Sequence, residues 1–474
     1  MVRAEGRRWL VVVWAGTALY AVGLTVESVY RHHGFQTSFD LAIYDQYLWL
    51  LSHAHAPFSS LLDRTLLGDH FSPGVMLLTP LYWLGLGVPG LLALQSVALA
   101  LTAPVLYALA RHTGAGPKLA AIPAVLWLVS PWTTTANLFE FHPTTLVPVL
   151  LTLSVLAAVR DQWWLLAASA ALAMSMREDI PLAYVMLGIV LALHGRRRLG
   201  ATLAGAAVVW GIAATKFIES KGDSLRFFGE RFAGNRGHTV GGAAIWMLEH
   251  PLSTISFAVG NSGSDALLLL FATGALALLA PSWILLGAPA LLHNALTANV
   301  FQHDLLHDDH IVVATSLFVA AAFGVRRLPE LALHRVVGGV AVGVAAALAF
   351  VVGLSQHDVW NQGQFLQRDA VRRGLALIPP DASVAATIHL DPHLSHRRQL
   401  YALPEPFIPW NWGSPLSTAE VRQKSATLRY VAYYDGDGPL PYVRRALPLL
   451  RKDGFVQIYS SGPMHVYERR GRSG

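Results

Sequence analysis

The chain has 474 residues, of which 54% are hydrophobic and only 14% charged, with a mean hydropathy of +0.44. A soluble domain carries about 25% charged residues, so this composition excludes an ordinary water-soluble globule and implies that lipid replaces water over much of the surface. Cysteine is absent and the net charge is +6; the first excludes disulfides and thiolate chemistry, and the second reflects basic residues in short loops between apolar runs, the pattern of membrane orientation rather than of nucleic-acid binding.

The first apolar run, Trp9 to Tyr30, follows Arg3, Arg7 and Arg8 and has no small-residue cleavage site, so it reads as an uncleaved anchor. Further apolar runs lie at 71–86, 90–110, 119–132, 143–159, 163–176, 180–194, 201–217, 264–280, 282–293, 311–325 and 336–354. The 71–86 segment holds Pro73 and Pro80. If it crossed the bilayer, Arg111, Lys118, the Arg196–Arg198 cluster and Arg326–Arg327 would face away from the N-terminal arginines. If it is re-entrant, all of them share the cytoplasmic side with Arg160. The excess of Lys and Arg in cytoplasmic loops selects the second arrangement. The pattern therefore predicts a polytopic α-helical membrane protein of about eleven spans, with the N-terminus inside and the C-terminus outside.

The tail differs in kind. Residues 364–378 and 441–452 read as helices, and 383–387, 399–403, 428–434, 455–461 and 464–469 read as strands. The expected organisation is a transmembrane domain over 1–355 and a small extracytoplasmic α/β domain over 356–474.

With this orientation, the outer face receives 31–70, 133–142, 177–179, 218–263 and 294–310, which hold most of the acids and histidines outside the tail. Leu41, Tyr44, Leu48 and Leu51 recur at helical spacing and predict an amphipathic helix lying on the membrane surface. Asp40 begins that helix. A carboxylate there can cap it, or act as a general base toward a hydroxyl nucleophile at the water–lipid boundary; the two roles are compatible. Asp69-His70 reads as a cap, a metal pair or an acid–base pair at the head of the next apolar segment. Glu140 and His142 sit at the mouth of a span. Arg177-Glu178-Asp179 interrupts apolar sequence, either as a turn or with Arg177 holding a phosphate in bidentate fashion. His303, His307, Asp308, Asp309 and His310 form a dense run of hard ligands, a candidate divalent-metal set or a hydrogen-bonded loop. Arg236 and His238, with Lys216, Lys221 and nearby glycines, suit an anionic phosphate or a flexible loop.

The run Phe39-Asp40-Leu41 with Asp45, Gln46 and Trp49, followed by Gly68–Pro73, resembles a bacterial multi-pass membrane-protein family with a domain of unknown function, related to the GT-C glycosyltransferase superfamily. Phe141–Pro143, Arg177–Asp179, the His-rich 293–310 stretch, 379–386 and 394–398 resemble it too, so the resemblance covers nearly the whole chain. It implies a GT-C-like fold and inverting transfer of a sugar from a polyprenyl-phosphate donor to a hydroxyl acceptor at the outer face. Asp40 matches the catalytic acid of the first outer loop by position, with Asp45 and Glu178 as further catalytic candidates. Gln46, Asp69, His70, Glu140, His142, Arg177, Asp179, Arg236, His238 and His303 are the implied substrate-binding candidates. Many such enzymes carry two acids adjacent or one apart, whereas Asp45 stands five residues from Asp40; which carboxylate is the base stays open at this point, as does metal dependence. A transporter or lipid flippase, or a non-catalytic envelope scaffold, is the alternative. A transporter places titratable groups near the midplane, whereas here they gather at loop positions.

Overall fold

The computed structural model describes residues 2–221, 240–299, 302, 304–305, 307–330, 366–409, 416–438 and 440–470, with isolated positions between 339 and 351. It is mainly helical, with a five-stranded sheet near the C-terminus. Helix α1 (Val2–His33) carries Arg31, His32 and His33 in its last turn, where cations complement the helix dipole. Among the described residues, five helices are long and apolar enough to cross a bilayer: Glu5–His33 within α1, Gly87–His112, Arg197–Glu219, Pro251–Ala272 and Ile311–Pro329. Pro117–Val129 and Pro131–Phe139 reach that length only when taken together, and they meet at a 42° bend where Pro131 cannot continue the backbone ladder. The apolar runs at 143–159, 163–176 and 180–194 form helices of 10–17 residues, shorter than the roughly 20 residues of a full span.

The 264–293 region differs from its hydropathy reading. Its helix begins at Pro251 and runs through Asn261, Ser262 and Ser264. It ends where Gly274 and Ala275 adopt positive φ, and 3-10 turns follow at Leu276–Leu279 and Pro281–Gly287. Isolated small polar residues do not stop a helix, but two consecutive left-handed residues do. Segment 71–86 folds as a 3-10 helix at Pro73–Leu78 and one α turn at Pro80–Trp83. The 336–354 run lies largely outside the described residues.

Two features suit a lipid solvent. Large apolar side chains stand exposed on the bundle's flanks, with Leu19 at 76% and Leu252 at 82%; water would penalise such a surface. Helices Ile180–Leu193 and Arg197–Glu219 meet through Gly188 and Gly200, where an added Cβ would lie 2.4 and 2.2 Å from the other glycine's carbonyl oxygen. Small residues allow this close backbone approach between membrane helices.

The basic loops gather at one end of the bundle. Arg196 pairs with Asp161 at 2.8 Å, Arg326 donates to the Thr113 carbonyl at 3.2 Å, and Arg327 to that of Leu279 at 2.6 Å. Gly6 lies against Pro117. The acidic and histidine-bearing segments meet at the other end, where α1 finishes.

That end is covered by helix α2 (Phe39–Ser52) and the tail. Strands β1 (Phe58–Ser59) and β2 (Arg64–Thr65) form a small hairpin in the first loop. In the tail, β3 (Val384–Ala386) pairs in parallel with β4 (Leu400–Ala402) and β5 (Tyr430–Tyr434). The hairpin β6 (Phe455–Ser461) and β7 (Met464–Arg469) joins antiparallel to β5, giving the order β4-β3-β5-β7-β6. The period of two separates the sheet's faces. Val384, Ala386, Ala432 and Val466 share a core with Leu41 and Leu48 of α2. Ala385, Val431 and Tyr433 pack under Val443, Ala446 and Leu450 of helix Leu440–Lys452. Helix α2 is thus buried nearly all round rather than lying half-exposed on a membrane surface. The tail supplies its second cover, from more than 300 residues away in the chain, and local periodicity carries no sign of that.

Candidate functional site

The start of α2 is held by a residue distant in sequence. Ser38, the N-cap residue, makes no side-chain cap bond to its own helix. Instead Glu140 accepts the Ser38 backbone N–H at 2.6 Å and the Leu41 N–H at 2.6 Å, and also the Ser38 hydroxyl. A buried carboxylate therefore satisfies the orphan donors of the first turn and complements its dipole. The capping role considered for Asp40 belongs to Glu140. Asp40 keeps its carboxylate out of the helix backbone, with 45% of its side chain exposed.

Behind Asp40 lies His142. Its Nε2 is 3.5 Å from Asp40 Oδ2, and its Nδ1 is 3.7 Å from Asp308 Oδ1. Asp308 also accepts the Thr144 hydroxyl. The imidazole stacks on Phe139, with centroids 5.2 Å apart. Burial alone pushes its pKa down, but Asp308, Asp40 and Glu140 outweigh burial and hold it at about 10. His142 thus stands largely covered between two carboxylates that favour its charged form.

A second group adjoins the first. His70 Nδ1 is 2.8 Å from Glu178 Oε1, and Glu178 Oε2 accepts the Phe71 N–H at 3.1 Å. Burial lowers the His70 pKa, and Glu178 and Asp69 override it to about 9. Arg177 grips Asp179 in bidentate fashion, Nε–Oδ1 2.7 Å and Nη2–Oδ2 2.8 Å, and reaches Asp309 at 3.2 Å. Neighbouring residues 308 and 309 join the two groups: one carboxylate serves His142, the other Arg177. Asp69 pairs with Arg64 at 3.6 Å. Tyr44, one helical turn beyond Asp40, lies among them. Burial, then the charges of Asp69, Asp40 and Asp308, push its phenol well above the usual range against the opposing pull of Arg177. Asp40, Asp69, His70, Glu140, His142, Arg177, Glu178, Asp179, Asp308 and Asp309 thus form one connected set.

Other sequence candidates go elsewhere. Five residues turn a helix by about 140° beyond one full revolution, so Asp45 faces away from Asp40. It is 1% exposed and accepts the Tyr82 hydroxyl, the Ser395 hydroxyl and His396 Nε2 at 3.2 Å. Gln46, fully buried, donates to Ser60 Oγ at 3.0 Å and to the Arg397 carbonyl at 2.9 Å, and accepts the Ser60 N–H. Both residues bolt the tail onto α2. The candidate metal run does not converge: His307 lies 3.7 Å from Asp304, Asp308 and Asp309 serve His142 and Arg177, and His310 Nε2 meets the Trp132 carbonyl at 2.9 Å. Successive residues of a tight turn point in different directions, and among the described residues no group of three His, Asp or Glu side chains is placed to hold an ion. Arg236, His238 and His303 lie outside the described residues.

Sequence reasoning missed Tyr44, Thr144 and the tail's Ser395 and His396 as partners of this region. Tyr44 carried a usable signal, its position four residues after Asp40; the others needed contacts made only in the fold.

The chain belongs to a family of predicted membrane proteins, DUF2079, whose model matches residues 31–414. No curated protein matches the sequence. Among solved structures, ArnT from Cupriavidus metallidurans bound to undecaprenyl phosphate is similar over 96% of this chain and 98% of its own, at 11% identity and a TM-score of 0.54. The apo form of that protein matches over 95% and 98%, at 11% identity and a TM-score of 0.52. An Archaeoglobus fulgidus oligosaccharyltransferase tethered with an acceptor peptide matches over 96% of this chain and 74% of its own, at 12% identity and a TM-score of 0.48. At 11% identity the likeness to ArnT is one of fold, and the fold is GT-C-like.

Proposed function

We propose that this member of the family is a membrane glycosyltransferase that moves a sugar from a polyprenyl-phosphate carrier to a hydroxyl acceptor, with Asp40 as the base. The observation that carries the reading is Asp40 itself. Within a cluster of otherwise engaged carboxylates it is the half-exposed one, spared from capping by Glu140 and backed by the His142 cation. In the proposed step Asp40 takes the acceptor's hydroxyl proton and the freed oxygen bonds to the anomeric carbon. The bond from that carbon to the phosphate oxygen breaks with inversion, and its electron pair leaves on the polyprenyl phosphate. Positive charge must meet that phosphate. Candidate cations are Arg177, which already serves Asp179 and Asp309, Arg64, which pairs with Asp69, and Lys221, whose stem lies against Gly68. The cluster faces outside in this reading, because the opposite end holds the basic loops, and the tail over 356–474 is extracytoplasmic.

The test uses full-length protein in nanodiscs carrying a panel of undecaprenyl-phosphate-linked sugars, with release of free undecaprenyl phosphate as the readout. Wild-type protein releases it. Asp40→Asn retains its fold and slows release by about 10²–10⁴-fold, the usual contribution of a general base. Unchanged turnover in Asp40→Asn, or a wild-type protein that neither binds undecaprenyl phosphate nor releases it from any carrier, overturns the reading.

A further inference from the structure

Helix Leu440–Lys452 has two unlike faces. Val443, Ala446 and Leu450 are buried against the sheet. Arg444, Arg445, Arg451 and Lys452 are all exposed. At about 100° per residue, Arg444 and Arg451 fall in one row and Arg445 and Lys452 in a second, about 100° round the helix. The two rows together point opposite the buried face. Each row places two cations about 10 Å apart along the axis.

The helix carries no Asp or Glu. A merely solvated helical face normally interleaves both signs at three- and four-residue spacing. Here Pro441 and Pro448 occupy such places instead. Among the described residues none of the four cations is engaged in an ion pair; Arg445 only stands over the Tyr442 ring at 5.8 Å. The patch is therefore exposed positive charge with no ion-pair partner among the described residues.

Its position restricts what could neutralise it. The sheet's other face packs on α2 at the end of the bundle, so this helix lies on the side of the sheet away from the bundle, with its cation rows exposed. We propose that this face binds an anionic glycan polymer of the cell envelope, whose phosphodiester or uronate groups repeat along the chain and meet the two cation rows. Arg is suited to both anions through its planar fork of donors. The choice of an envelope polymer rests on the extracytoplasmic placement of the tail but not on Asp40 chemistry, so binding and transfer fail independently.

The experiment measures binding of full-length protein in nanodiscs of neutral lipid to immobilised alginate (a polyuronate), poly(glycerol phosphate) and neutral dextran. Wild type binds one or both anionic polymers and not dextran, and the affinity falls as salt rises. Replacing the four cations together (Arg444→Gln, Arg445→Gln, Arg451→Gln, Lys452→Gln) weakens binding about ten- to hundredfold, the combined effect of several exposed ion pairs. An Arg444→Lys/Arg445→Lys/Arg451→Lys variant keeps most of it, and Arg372→Gln/Arg373→Gln, on helix Arg368–Leu375, leaves it unchanged. Binding to a single polymer identifies the anion. No binding by wild type, a fourfold variant that binds like wild type, or a loss seen only on phosphatidylglycerol vesicles overturns the proposal.

Discussion

The carboxylate of Glu140 accepts the backbone N–H of Leu41 at 2.6 Å across 99 residues of chain. Together with its bonds to Ser38, this fixes the first turn of α2 to the loop that also carries His142, and so sets the position of Asp40 relative to that imidazole. Glu140→Ala leaves several buried donors without an acceptor. The expected cost is about 2–4 kcal/mol, from one lost cap and charge-assisted bonds, read as a lower unfolding temperature in detergent. Transfer activity falls with it. Glu140→Gln keeps the shape and one acceptor oxygen, and is expected to lie between Ala and wild type on both measures.

Asp40 and Asp45 separate chemistry from docking. Asp40→Asn removes the proposed base while leaving the buried contacts of α2 intact, so turnover falls steeply and the unfolding temperature stays nearly constant. Asp45→Asn replaces one acceptor oxygen by a donor in a site already filled by three donors. It is expected to cost about 1–3 kcal/mol and to loosen the tail, seen as faster limited proteolysis between the bundle and β3. Equal effects of the two substitutions on proteolysis would show that Asp45 is not the bolt the geometry makes it.

The histidines set a pH window. His70 is held near 9 and His142 near 10, both above the ordinary imidazole value of 6.5. A group whose folded pKa is raised contributes stability that is fully present below its unfolded pKa and is lost as pH rises through the folded one. Stability is therefore expected to decline from about pH 6.5 toward pH 9–10. His70→Gln removes its share of the decline up to about pH 9, and His142→Gln removes its share over the whole window, including all of the stretch above pH 9. Thermal unfolding at pH 6 and pH 9.5 measures both; a His142→Gln profile identical to wild type would mean that the imidazole is not charged in the folded protein.

What the sequence revealed follows the range of the interactions involved. The tail's five strands come from local alternation, and the fold matches them. Helix Thr418–Thr427 was missed: its apolar pattern is weak, and the capping box of Ser417 and Glu420 was its one local signal. The residues of the acidic cluster were visible as charges interrupting apolar sequence. Their division of labour was not. That Glu140 caps α2, that Asp308 backs His142 and Asp309 backs Arg177, and that Asp45 meets Ser395 and His396 all depend on contacts across 99 to 351 residues, for which spacing in the sequence holds no signal.

Sidedness decides the rest, and the absence of cysteine makes it directly measurable. Single cysteines introduced at exposed positions can be labelled one at a time with a membrane-impermeant maleimide. His112 and Arg197 are exposed at the end holding the basic loops, and Arg422 and Asp435 in the tail. Arg196–Asp161 and Arg326–Thr113 tie the basic loops to a common end, opposite the cluster of Asp40, His142 and Arg177. One compartment assignment therefore fixes the other. Arg422→Cys and Asp435→Cys are expected to label on intact cells, and His112→Cys and Arg197→Cys only after permeabilisation, as the concentration of Lys and Arg in cytoplasmic loops requires. Labelling of residue 112 or 197 on intact cells would instead place the carboxylates in the cytosol, where an acceptor on the outer face could not reach Asp40.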